Sequence, residues 1–224
     1  LANRNRGGAY LASFFIGVGL FAIFLFLSYF FQGVLGYSPL ESGLLFLPLT
    51  GGIIVSAGIT SRLLPIIGPR FITGGGFAFT IVGLLLLQRM SENSTYIGDI
   101  LPSMILVGLG IGFVFVPLSA TALFGVGDAD AGVASAVLNA AQQVGGSVGV
   151  AFLNTIATSA TTAYIVANQL PGPNGAALVE GFTTGFLWSA AILLVAGVIW
   201  LVLVTMTGKD MADDEVNADR QPPM

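Results

Sequence analysis

The sequence predicts an all-α integral membrane protein with six transmembrane helices, on three observations. Hydrophobic residues make up 55% of the 224-residue chain and charged residues only 8%, where a soluble domain carries about 25% charge. A soluble surface so short of charge would expose large apolar patches and associate, so the composition fits lipid as the solvent. The charges also fence off apolar intervals: Arg6 to Glu41, Glu41 to Arg62, Arg70 to Arg89, Asp99 to Asp128, Asp130 to Glu180 and Glu180 to Lys209. Even the shortest is close to one crossing long, because roughly 20 residues rising 1.5 Å each cover a 30 Å hydrocarbon core. Finally, the apolar runs are continuous and lack the period-two alternation of a barrel strand, which favours helices.

In chain order the expected spans lie near 13–35, 42–64, 71–89, 100–124, 132–158 and 183–206, within one unit over 1–207. The first ends at Gln32 and turns through Gly33 and Gly36. The second restarts at Ser38-Pro39, with Ser38 suited to the N-cap, Pro39 to the first helical position and Glu41 to the first turn, where the helix dipole favours an acid. That placement accounts for Glu41 as a helix-start charge rather than a proton carrier. A Pro/Gly turn bracketed by Arg62 and Arg70 links the second and third spans. Two readings of these arginines stand open: a pair of topology-setting anchors, or a gating latch that bonds helix-end carbonyls or an acid in one conformation.

The fourth span carries Gly108, Gly110, Gly112 and Pro117. A glycine pattern inside an apolar helix with no preceding strand does not read as a nucleotide site; it reads as close packing with a bend. The fifth span holds Asn139, Gln142 and Gln143 on one face at i, i+3 and i+4. Uncharged amides in lipid must face protein or a water-filled cavity, so they either bond neighbouring helices or, with Gln32, line a substrate path. The segment Asn168 to Gly175 is rich in turn residues and closes the fifth span. The tail over 208–224 is polar and acidic, and is expected to be disordered.

The Lys and Arg residues set the orientation. With the N-terminus in the cytoplasm, Arg4, Arg6, Arg62, Arg70, Lys209 and Arg220 lie inside and only Arg89 outside, which obeys the positive-inside rule. Both termini are then cytoplasmic. The chain begins at Leu1, so it reads as part of something larger. The expected location is a cell membrane, taken as a bacterial inner membrane.

Absences exclude whole classes of function. With no Cys and no His, thiol nucleophiles, His-based acid/base catalysis and the usual zinc sites are gone. No paired acids lie inside a span, so an intramembrane enzyme is not expected, and no catalytic residue, metal site or cofactor is assigned. Seven scattered Lys and Arg make no basic surface for nucleic acid. No charge sits deep in an expected span, so any proton-coupling acid belongs elsewhere.

The stretch YFFQGVLGYSPLESGLLFLP over 29–48, the Gly/Pro-rich fourth span and the stretch from Asp130 to Phe152 together resemble the C-terminal six-helix half of a major facilitator superfamily transporter. They are most similar to the fourteen-span drug:H+ antiporter branch. The loop from Gly58 to Arg70 resembles the superfamily's cytoplasmic loop, with Ser61 where an acid usually precedes the arginine and extra residues before Gly68. This resemblance implies proton-coupled efflux of lipophilic compounds, with an N-terminal half of the same transporter, protons and the bilayer as partners. It leaves open a nutrient or amino-acid carrier, or a truncated membrane protein that does not transport. The fold implied for each half is a pair of inverted three-helix repeats, although no three-helix self-similarity is legible in the residues.

Overall fold

A computed structural model describes residues 4–211, and among these every regular element is helical. The helices are α1 (Arg4–Tyr29), α2 (Pro39–Leu45), α3 (Leu47–Ile67), α4 (Pro69–Leu87), α5 (Leu101–Leu123), α6 (Asp128–Ala167) and α7 (Gly175–Leu203). Wide turns of π-helix at Phe30–Val34 and Tyr96–Ile100 extend α1 and precede α5. With α2 and α3 in line, six helical segments are long and apolar enough to cross a membrane.

Local chemistry sets the joints. Ser38 and Glu41 form a reciprocal capping box: the Ser38 N–H donates to Glu41 Oε2 at 2.8 Å, and the Glu41 N–H donates to Ser38 Oγ at 3.3 Å. Such a cap satisfies helix-start N–H groups that would otherwise be orphaned. One residue, Phe46, separates α2 from α3; Pro48 follows and cannot donate a backbone hydrogen bond across the joint. Gly68 turns the chain from α3 into α4 at φ 88°, a conformation that a β-carbon disfavours.

Three helices run beyond the ranges that hydropathy suggests, and the first of them, α1, starts at Arg4 rather than near 13. α6 continues to Ala167 because its hydroxyls find partners inside the helix: Thr155 Oγ1, Ser159 Oγ and Thr162 Oγ1 donate to the carbonyls four residues earlier at 2.8–2.9 Å. α7 begins at Gly175, where the Asn174 side chain caps the Ala177 N–H at 2.9 Å. Glu180 therefore sits inside α7, on its exposed side. The first residues of the 208–224 tail, through Met211, form a helical turn, with the Thr207 N–H donating to Asp210 Oδ2 at 2.7 Å. The remainder of that tail lies outside the described residues.

The spans pair in a regular way. α1 packs on α6 and α7, α5 packs on α3 and α4, and the two groups join where α4 meets α7 and α1 meets α5. Glycines bring α1 close against α6 and α3 close against α5. A β-carbon on Gly145 would lie 1.9 Å from the Phe14 carbonyl oxygen, and one on Gly108 would lie 2.2 Å from that of Leu49. Phe26, Phe30, Phe31, Phe186 and Trp200 fill the core completely buried. Burial is uneven: in their most apolar stretches the second span is 17% buried and the fifth 11%, against 39–56% in the others.

Candidate functional site

One walled cleft brings several uncharged polar side chains together. It lies between the end of α1, the second half of α6 and the start of α7, with a volume of about 640 Å³. Tyr29, Gln32, Asn154, Thr158, Thr161 and Phe182 contribute to its lining. The π-helical turn at Phe30–Val34 carries Gln32 to the rim, exposed. Phe182 stacks at 5.8 Å on Phe26, whose ring is edge-on to Phe186 at 5.7 Å, and Tyr29 leans on Phe182 at 6.4 Å. The aromatic wall is thus held from behind by buried rings. A larger surface of about 800 Å³ runs along α6 from Asn154 to Ala167 but is lined by that helix alone, so it has no second wall.

The hydrogen bonding of α6 decides what the cleft offers. Thr161 Oγ1 spends its one hydrogen on the Ala157 carbonyl at 3.0 Å and Thr162 Oγ1 on that of Thr158 at 2.9 Å. A hydroxyl bonded this way presents only lone pairs outward. The Asn154 and Thr158 side chains lie in the same cleft, and no formal charge stands among its lining residues. An apolar pocket with a few convergent uncharged polar groups fits an amphipathic organic molecule.

The amides of the fifth span do not all converge there. Asn139 is exposed and its Nδ2 donates to the Ser135 carbonyl at 3.1 Å. Gln142 is half-buried where its backbone carbonyl faces Gly17 of α1, and Gln143 is exposed. Of the four amides singled out in the sequence, only Gln32 lines this cleft. Asn154, Thr158 and Thr161 were missed by motif reasoning; the signal was the run NTIATSATT over 154–162, which reads as diluted hydropathy until α7 supplies the facing wall.

The arginines gather at one end of the bundle. The Arg4 guanidinium donates to the Val202 carbonyl, Arg6 to that of Phe124 at 3.2 Å, and the Thr205 N–H to Asn5 Oδ1 at 2.9 Å. Gly68 and Gly208 are in backbone contact there. Arg62 is exposed near the end of α3, and Arg70 is half-buried at the start of α4. The Arg70 guanidinium lies 5.9 Å from the Phe71 ring. Among the described residues neither Arg62 nor Arg70 forms an ion pair. The opposite end carries Arg89 on a surface turn, and there the Tyr96 hydroxyl donates to the Leu45 carbonyl at 2.7 Å.

Comparisons with known proteins agree with this architecture. Residues 2–150 match the Major Facilitator Superfamily. The chain is 40% identical over 227 aligned residues to the puromycin resistance protein pur8 of Streptomyces alboniger, covering 99% of this chain and 45% of that protein. It is 33% identical over 157 residues to the cephamycin export protein CmcT of Amycolatopsis lactamdurans, covering 70% of this chain and 32% of that one. A solved structure of a bacterial homologue of the human drug peptide transporters PepT1 and PepT2 shares the fold at a TM-score of 0.74 and 15% identity, over 96% of this chain and 47% of that one. The chain thus spans less than half the length of these relatives. With six spans in this pairing and a family match over most of its length, the chain belongs to the Major Facilitator Superfamily of membrane transporters.

Proposed function

We propose that this chain is the C-terminal part of a secondary-active efflux permease that exports lipophilic small molecules in exchange for protons. The observation that carries the reading is the 40% identity to a puromycin resistance protein across nearly the whole chain. The aromatic and amide-lined cleft supports it, because such a surface accommodates amphipathic compounds without a fixed charge. Gln32 is the leading substrate contact, joined by Asn154 and Thr158; Asn139, Gln142 and Gln143 lie along α6 towards the other end and contact substrate or the facing half. Within the described spans, acids stand only near the helix ends at Glu41, Asp99, Asp128, Asp130 and Glu180, so the coupling acid is assigned to the remaining half of the transporter. That half covers α3 and α6, the two sparsely buried spans.

The orientation puts the end with Arg4, Arg6, Arg62, Arg70 and Lys209 in the cytoplasm of a cell whose inner membrane holds the protein. Arg62 and Arg70 then act as topology anchors at that face. The test is accumulation of ethidium and of puromycin in cells expressing the complete protein, with and without a protonophore. Lower accumulation that the protonophore abolishes is expected, and a Gln32→Leu, Asn154→Leu double variant reduces export about tenfold while membrane levels hold, a loss of about 1.4 kcal/mol shared by two hydrogen-bonding side chains. Unchanged accumulation of every lipophilic cation and antibiotic tried would sink the efflux reading.

A further inference from the structure

We infer that the pocket at the proposed cytoplasmic end, between the α3–α4 turn and the segment following α7, binds the phosphate headgroup of an anionic lipid. The pocket encloses about 420 Å³ and includes Arg70, Lys209, Thr205 and Thr207 in its lining. Both cations lack an ion-pair partner among the described residues, and Arg70 Nε is buried with no hydrogen-bond acceptor. Two unpaired cations on one pocket favour an anion, and phosphate is an anion that a planar guanidinium fork matches well. Asp210, the neighbour of Lys209 in the chain, is already engaged. The Thr207 N–H and hydroxyl donate to it at 2.7 and 2.8 Å and hold its carboxyl below the ordinary range.

The backbone here is fixed well enough to make a site. Trp200, fully buried, donates its indole N–H to the Arg70 carbonyl at 3.3 Å. Gly68 and Gly208 touch so closely that a β-carbon on Gly68 would lie 2.6 Å from the Gly208 nitrogen. Arg70 stands in the first turn of the 19-residue helix α4, where the dipole adds positive potential.

The rim separates a lipid from free phosphate. Ile66 is 76% exposed and Phe71 67% exposed, and both lie against the pocket. Apolar side chains beside two cations at a helix end suit a molecule with acyl chains on one side and a charged head on the other. The cytoplasmic leaflet supplies that chemistry, and each basic residue near it contributes about a fivefold gain in binding.

The inference rests on the proposed membrane orientation but not on efflux, and its test measures no transport. The complete protein, purified in detergent, is titrated with phosphatidylglycerol, phosphatidylcholine or inorganic phosphate, and bound lipid is counted by native mass spectrometry. Phosphatidylglycerol is expected to bind in preference to phosphatidylcholine. Lys209→Gln weakens it about fivefold, and Arg70→Gln with Lys209→Gln about 25-fold, while Arg89→Gln at the other end changes nothing. The Lys209→Gln variant keeps the test informative if Arg70→Gln impairs folding, because Lys209 is exposed. Equal lipid binding by wild type and Lys209→Gln overturns the site. Competition by millimolar inorganic phosphate as effective as unlabelled lipid overturns the assignment to a lipid.

Discussion

At Gly145 the absence of one carbon sets a helix crossing. A β-carbon there would lie 1.9 Å from the Phe14 carbonyl oxygen, and one on Gly17 would lie 2.1 Å from that of Gln142. Backbone meets backbone on both sides, so no flexible side chain can yield. Gly75 of α4, on a helix that the proposed facing half does not cover, is the contrast, with nothing within 4 Å of its β-carbon position. Gly145→Ala is therefore expected to destabilise the complete protein by about 1–3 kcal/mol, the usual cost of overpacking. Gly75→Ala gains about 0.5–1 kcal/mol from helix propensity alone. Thermal unfolding in detergent separates the two; equal midpoints would mean that the α1–α6 crossing is looser than these distances require.

Helix joints follow the same local logic one scale up. The Tyr96 hydroxyl reaches from the turn before α5 to the Leu45 carbonyl at 2.7 Å, beside the break at Phe46. Phe46 and Tyr96 both rest edge-on against Phe31, at 5.7 and 6.0 Å, so three spans meet at this joint. Tyr96→Phe removes the hydrogen bond and keeps the ring. It is expected to lower stability by about 0.5–1.5 kcal/mol and to speed amide exchange across 44–50, with no change near Gly145. Unaltered exchange at the joint would show that the ring contacts alone hold it.

These joints also mark how much the residues reveal by themselves. The Ser38–Glu41 cap, the glycine turn at 68 and the turn-rich stretch after Ala167 are written in short motifs, since each depends on neighbours within four residues. The length of α6 is not, because hydropathy falls through Asn154–Thr162 while the hydroxyls quietly satisfy themselves inside the helix. Gln32 is legible as an amide near a span end. Its cleft is not, because Thr158 and Thr161 acquire a facing wall only when α7 packs against α6.

Across the whole molecule, the pairing of spans carries information that no residue pattern does. The first span packs on the fifth and sixth, and the fourth packs on the second and third. Exchanging spans one to three for four to six leaves that scheme unchanged, and an odd number of crossings makes the two sets antiparallel, as in inverted repeats. One equivalent pair of close crossings follows it: Gly17 meets Gln142 and Gly146 between spans one and five, and Gly52 meets Gly108 and Leu109 between spans two and four. The second and fifth spans, equivalent under the exchange, are also the two least buried. Lipid does not account for this shared exposure on α6, whose bare face carries Asn139, Gln143, Ser147, Asn154 and Thr158. Amides and hydroxyls at that density need protein or water opposite them.

The proposed facing half supplies that cover. A photo-crosslinking amino acid placed at Ile54 of α3 or Val144 of α6, both more than half exposed, is expected to link to other segments of the complete polypeptide after irradiation in membranes. The same probe at Phe71 or Val82 of α4, also exposed, should capture lipid, because α4 packs on α5 and α7 and turns its other side outward. Mass spectrometry of the digested protein reads the difference directly. Lipid adducts in equal yield at all four positions would mean that α3 and α6 face the bilayer, and the two-half arrangement would have to be abandoned.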